Sequence, residues 1–356
     1  MSVQVSYKKQ LTFFLILLVI TLFVIEGAVR IYENQELPCH IVGKDAFYEV
    51  TTDVQEQVCR DSRNILYMEP DILRYVPNQH AETININSFG FRGSEITKEK
   101  PDEVFRIFVV GGSTTFGSGS ISDEHTIPGH LQEIFSTYDK NVEIINAGIG
   151  SGYSYTERFL IENELINFDP DLILVYTGGN DSHRPIIYPT VGIGNTAFEI
   201  KDIRFWRTPF VISDLLIETT RYEKSDTKLD EKFIQEKISF WTENMKNICN
   251  TSSQKNINTM IVLHPILATS EKKFSIDENE YMKKSDFQST PTVLKIYDGI
   301  NDNLKELDSH CDSTANLRLI FKDMSEPIFF DESHINNHGN KIVAKKLFEL
   351  IIPFLN

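Results

Sequence analysis

Basic residues are scarce in this chain. Thirty-five Lys and Arg stand against 51 Asp and Glu, a net charge of −16, and no stretch gathers the cations into a stripe. A surface of that sign repels phosphate backbones, so no nucleic-acid partner is expected. Metal-ligand spacing is missing as well: the four cysteines form no C-x-x-C pair, and the nine histidines no H-E-x-x-H. His334 and His338 stand four apart, but the first is better used beside Asp331 and the second reads as a surface residue. The chain has no G-x-G-x-x-G, and its Gly-Gly-Ser-Thr-Thr-Phe-Gly turn lacks the Lys of a phosphate loop. No cofactor and no metal are expected. Internal repeats and low-complexity tracts are absent too.

Apolar residues make up 41 % of the chain, enough for a large core, and the first long run of them comes early. From Leu11 to Val29 the sequence is apolar apart from Thr12, Thr21 and Glu26. That is roughly 29 Å of helix, close to the thickness of a bilayer's hydrocarbon. Lys8 and Lys9 precede it and Arg30 follows, which favours a cytoplasmic N-terminus with the remainder outside. A cleaved signal peptide is the competing reading, but the small-x-small cleavage pattern is missing. The expectation is a retained anchor over 1–30 and an extracytoplasmic domain. Cys39, Cys59, Cys249 and Cys311 would then sit where disulfides persist. Three pairings are open; Cys39–Cys59 would staple the membrane-proximal segment and Cys249–Cys311 the late part of the domain. Four free buried thiols are the alternative.

Residues 31–104 are mixed and polar and read as a stalk passing into a lead-in, which contains Asn87-Ser88-Phe89-Gly90-Phe91-Arg92-Gly93. From 105 strands and helices alternate. Strands are expected at 106–110, 142–145, 171–176, 260–263 and 317–321. Helices are expected around 124–137, 155–167 and 293–307, along the stretch bearing Phe233 to Met245, and over 339–350. This alternation predicts a three-layer α/β/α sandwich on a mostly parallel five-stranded sheet, with right-handed crossovers placing the strand ends along one edge. An insert at about 182–290 lies within the 105–356 domain. Its aromatic first part, 182–222, reads as a lid, and the charged stretch 268–290 as a loop over the site.

Polar motifs stand at those strand ends. Gly111-Gly112-Ser113 closes the first strand, Asn146-Ala147-Gly148 the second and Gly178-Gly179-Asn180-Asp181 the third, and Asp331-Glu332-Ser333-His334 precedes the last helix. A serine hydroxyl needs a base to take its proton. His334 can supply it, with Asp331 three residues earlier fixing the imidazole's tautomer. Oxyanion charge needs donors, and the Asn180 side chain, the Ser113 N–H and a glycine N–H after the second strand could provide them.

These blocks, in this order, resemble the SGNH/GDSL hydrolase superfamily, named for a Ser, Gly, Asn and His in four blocks. Residues 105–181 and 258–352 carry the resemblance, and the lead-in at 87–93 resembles a membrane-anchored branch. The resemblance implies hydrolysis of acyl esters, or acyl transfer, on lipids or acylated glycans. It implies Ser113, Asp331 and His334 as catalytic residues, and Ser113, Gly152 and Asn180 as the oxyanion hole. Two features depart from the pattern. Gly112 replaces the usual Asp before the serine, and the glycine block differs in length, leaving Gly148 and Gly150 as alternatives to Gly152. The expected function is a membrane-anchored extracytoplasmic serine esterase. An O-acyltransferase of surface glycans, or a non-catalytic binding module on the same fold, is the alternative.

Overall fold

The computed structural model describes residues 6–34, 39–68, 72–183, 231–284 and 291–355. The segment expected to form a lid lies almost wholly outside them, as does the end of the charged stretch. The described residues divide into two compact units, one within 1–39, the other within 40–183 and 231–355. Of the first, the described part is the helix α1 (Tyr7–Asn34). Its stretch Tyr7–Ile31 is long and apolar enough to cross a membrane, and side chains such as Phe13, Leu17 and Phe23 are exposed.

The second unit begins with the lead-in. It is more ordered than a stalk: α2 (Thr52–Asn64) is followed by two short antiparallel pairs, Tyr67–Met68 with Arg74–Tyr75 and Gln79–His80 with Asn85–Ile86. Ile41, Phe47, Val58, Tyr75, Ile84, Ile86 and Phe91 are buried, so these residues form part of the body. The helix α2 escapes sequence reading because Val54, Val58 and Cys59 are its only apolar positions.

The β-branched runs become five parallel strands. They are β1 (Phe105–Gly111), β2 (Val142–Gly148), β3 (Leu172–Thr177), β4 (Asn258–Leu263) and β5 (Ser313–Asn316), in the spatial order β2-β1-β3-β4-β5. Along each inner strand successive side chains enter opposite cores. Phe108, Val110, Ile173, Val175, Ile261 and Leu263 pack with α5 (Ser154–Asn163), α7 (Glu231–Ser253) and α9 (Pro291–Leu307). Ile107, Val109, Leu172, Leu174, Met260 and Val262 pack with α4 (Ile127–Phe135) and α10 (Asn337–Ile351). Three layers result, with both sheet faces covered, as parallel sheets require. Short helices α3 (Ser113–Phe116) and α6 (Gly179–His183) follow β1 and β3 directly, and α8 (Ile276–Lys284) precedes α9.

Two expectations need correction. The fifth strand is Ser313–Asn316, and the apolar run 317–321 is a set of turns. The physical reason is the length of its partner: β4 ends at Leu263, opposite Asn316; the Leu317 N–H still donates to the Leu263 carbonyl at 2.9 Å, and past it 318–321 meet no further residue of β4. The Cys249–Cys311 disulfide, across a separation of 62 residues, ties the start of β5 to α7, and no cysteine is free. The charged stretch 268–290 is also more than a loop, since it contains α8.

Candidate active site

In this strand order the sheet reverses direction of winding between β1 and β3, where a crevice opens at the strands' C-terminal ends. Ser113 sits there, at the first position of α3. Gly112, immediately before it, is in close contact with two groups: a Cβ at 112 would lie 2.7 Å from Asn180 Nδ2 and 3.0 Å from the Gly152 carbonyl. Only hydrogen fits while those groups hold their positions, which is a local reason for glycine where the family resemblance expects Asp.

His334 reaches Ser113 from the far end of the chain. Its Nε2 lies 2.7 Å from Ser113 Oγ, across a separation of 221 residues. Its Nδ1 lies 2.6 Å from Asp331 Oδ2. The other Asp331 oxygen accepts the backbone N–H groups of Ser333 at 2.8 Å and His334 at 2.7 Å. Burial disfavours the imidazolium, but the Asp331 carboxylate outweighs it and raises His334 above its ordinary value. For Asp331, burial alone would push the carboxyl up; the His334 charge and the two N–H donors reverse that and hold it low. Phe330 stacks on the His334 ring with centroids 5.6 Å apart.

Asn180 follows the turn after β3, where Gly178 has φ +112°, a conformation that favours glycine. Its Nδ2 donates to the Gly152 carbonyl at 2.6 Å. Gly152, Asn180 and Ser113 line one small cavity of about 10 Å³, together with Glu157, His264 and Ser333. The three candidate glycines differ in what they do. The Gly148 N–H donates to Asn146 Oδ1 and the Gly150 N–H to the Tyr75 hydroxyl. The Gly152 N–H donates to the Ile149 carbonyl at 2.8 Å, so in this conformation Gly152 turns its carbonyl, not its N–H, toward Asn180. A wider cleft of 410 Å³ lies on the lead-in side, around Arg92, Asp123 and Asn146, and none of Ser113, Asn180, Asp331 or His334 lines it.

The crevice is held by residues to which the sequence alone assigned no role. Arg92, buried, donates to Asp123 at 2.7 Å, to the carbonyls of Phe116 at 3.1 Å and Gly117 at 2.9 Å, and to Thr83 O at 2.8 Å. It thereby fixes the far end of the turn that carries Ser113. Tyr75 stacks on Phe116 at 4.4 Å while receiving the Gly150 N–H. Glu278, fully buried with Lys272, accepts the Ile328 and Phe329 N–H groups, both at 3.0 Å, and so anchors the segment leading to Asp331. Asp181 accepts the N–H and hydroxyl of Ser154, tying the residue after Asn180 to the one two places after Gly152. Burial lifts Asp181 to about 6, and burial with the Asp181 charge lifts Glu157 well above the usual carboxyl range.

No family model and no curated protein matches the chain. Solved structures similar to it include an acetyl xylan esterase, 18 % identical, covering 69 % of this chain and 100 % of that one with a TM-score of 0.42. An acetyl-xylooligosaccharide esterase from Geobacillus is 13 % identical, covering 69 % and 94 %, at 0.43. A GDSL-like lipase from Bacteroides thetaiotaomicron is 13 % identical, covering 70 % and 89 %, at 0.37. The Ser, Gly and Asn blocks stand at the ends of β1, β2 and β3 and the His block just before α10, an order that resembles the four blocks of the SGNH/GDSL hydrolases.

Proposed function

We propose that the protein is a membrane-anchored serine esterase acting outside the cytoplasm. The observation that carries this reading is the hydrogen-bonded row Ser113–His334–Asp331, with contacts of 2.7 and 2.6 Å. Ser113 Oγ attacks the acyl carbonyl while His334 Nε2 takes its proton, and Asp331 stabilises the imidazolium that forms. The oxyanion is met by the Ser113 N–H, which has no intrahelical acceptor at the start of α3, and by the second hydrogen of Asn180 Nδ2. His334 then returns the proton to the departing alcohol. In the second half the same imidazole takes a proton from water, whose oxygen bonds to the acyl carbon and releases the acid and Ser113.

The anchor and the compartment rest on separate observations. Tyr7–Ile31 has the length and composition of a membrane span, and the Cys249–Cys311 bond supports an oxidising compartment. Purified full-length chain in detergent should hydrolyse p-nitrophenyl acetate, and Ser113→Ala and His334→Ala should not. Equal rates for wild type and Ser113→Ala would remove the reading. Transfer of the acyl group to a sugar hydroxyl would use the same acyl-enzyme. It would appear as an acylated glycan product formed at the expense of free acid.

A further inference from the structure

A second histidine lies beside the crevice, in a role different from that of His334. His264 follows the last residue of β4 and is buried; it lines the same small cavity as Ser113, Gly152 and Asn180. Its Nε2 accepts the backbone N–H of Gly179 at 2.9 Å, and its Nδ1–H donates to the Pro265 carbonyl at 2.9 Å. Those two bonds fix one neutral tautomer. Burial opposes protonation and brings the imidazole down to about 4, the His334 charge acting in the same direction.

The ring is held from several sides. The Tyr297 hydroxyl donates to the His264 carbonyl, and the Tyr176 and Tyr297 rings lie 5.3 and 6.4 Å from the imidazole. Gly179 is packed directly on it: a Cβ there would stand 2.4 Å from Nε2. The Gly179 N–H is one of the opening donors of α6, which have no acceptor within their own helix. Water or a preceding side chain commonly meets such a donor. Here an imidazole from the neighbouring strand does, one residue before Asn180.

We propose that His264 is a positioning residue of this site, an acceptor that fixes the Gly179 peptide and through it the Asn180 amide facing Ser113. This rests on the reading of Asn180 as an oxyanion donor. Filling space is a different role, and an apolar ring of similar size could perform it. Accepting a hydrogen bond at the Nε2 position is something only certain replacements can reproduce. A glutamine carbonyl extends about as far as Nε2, whereas an asparagine carbonyl stops near Nδ1.

The test compares His264→Gln, His264→Asn and His264→Leu in the full-length chain, with p-nitrophenyl acetate as substrate. Asn and Leu should lower kcat by about 10- to 100-fold, the range for a donor displaced by about an ångström, while KM moves by less than about twofold. Gln should recover most of that loss. Equal kcat for Gln and Asn, or a change confined to KM, would overturn the proposal. Should the variants fail to fold, ¹⁵N spectra of wild type decide: His264 Nε2 should be unprotonated at neutral pH, and a proton on it would refute the assignment. If Ser113→Ala is as active as wild type, the esterase reading has failed instead, and the ¹⁵N result still tests the hydrogen bond itself.

Discussion

Gly112→Ala adds a single methyl group beside Ser113, the proposed nucleophile. The new Cβ would stand 2.7 Å from Asn180 Nδ2, and ordinary contact begins near 3.4 Å, so the amide must retreat by about 0.7 Å. The Gly152 carbonyl, 3.0 Å away, must also give by a few tenths of an ångström. Gly112 has φ −84°, outside the left-handed region that favours glycine, so the close contacts are the main obstacle to the methyl group. Moving the proposed oxyanion donor by this amount is expected to lower kcat by about 100-fold, or roughly 2.7 kcal/mol of transition-state stabilisation. Asn180→Ala, which removes the donor altogether, should cost about 10²- to 10³-fold. Since the methyl acts through Asn180, the double variant should be no slower than Asn180→Ala alone, a clear departure from additivity. Steady-state kinetics on an activated ester, with thermal melts to establish that each variant is folded, measure all of this. A folded Gly112→Ala within threefold of wild type, or a double variant whose loss is the product of the two single losses, would refute the reasoning.

Three further outcomes are expected. Because burial is outweighed by Asp331 and His334 is raised above 6.5, and because the base must be neutral to accept the Ser113 proton, kcat/KM should rise with pH through a value above 6.5. An acid limb centred below that value would contradict the assignment. Glu157 is raised well above 4.5 by burial and the nearby Asp181 charge, so its contribution to stability is present below 4.5 and is lost as pH rises through the folded-state value. Glu157→Gln, which keeps an acceptor for the Thr177 hydroxyl, should therefore gain melting temperature over wild type increasingly as pH rises from 4.5. A difference independent of pH would count against it. Finally, replacing Cys249 and Cys311 with serine releases a loop spanning 62 residues. It should cost about 4 kcal/mol in urea unfolding on the chain-entropy estimate, and a loss below about 1 kcal/mol would show that this bond does not set the stability of the β5 edge.

The sheet was legible in the sequence where apolar runs were long and β-branched, as in Phe105–Val110 and Leu172–Tyr176. It was misread at its edge. Leu317–Phe321 has the composition of a strand, but parallel pairing is limited by where β4 stops, and no local pattern carries that information. Ser113, Asp331 and His334 each stood out as polar residues at the end of an apolar run or before a helix, and the chain brings these three within hydrogen-bonding distance. Their supports left no such trace. Tyr75 meets Gly150 across 75 residues and His264 meets Gly179 across 85, so neither pairing appears in any short window. Glu278 was one charge among several in a stretch that reads as a loop over the site. Only the fold shows it buried beneath the backbone that leads to Asp331.

The most direct test asks whether the hydroxyl at 113 takes up an acyl group. Full-length chain mixed with excess p-nitrophenyl acetate, acid-quenched within the first turnovers and examined by intact-mass and peptide mass spectrometry, should carry one acetyl group on the peptide containing Ser113. The same treatment of Ser113→Ala should leave that peptide unmodified. Rapid release of p-nitrophenol by wild type with Ser113 unlabelled at every quench time, and undiminished release by Ser113→Ala, would contradict nucleophilic catalysis at this residue.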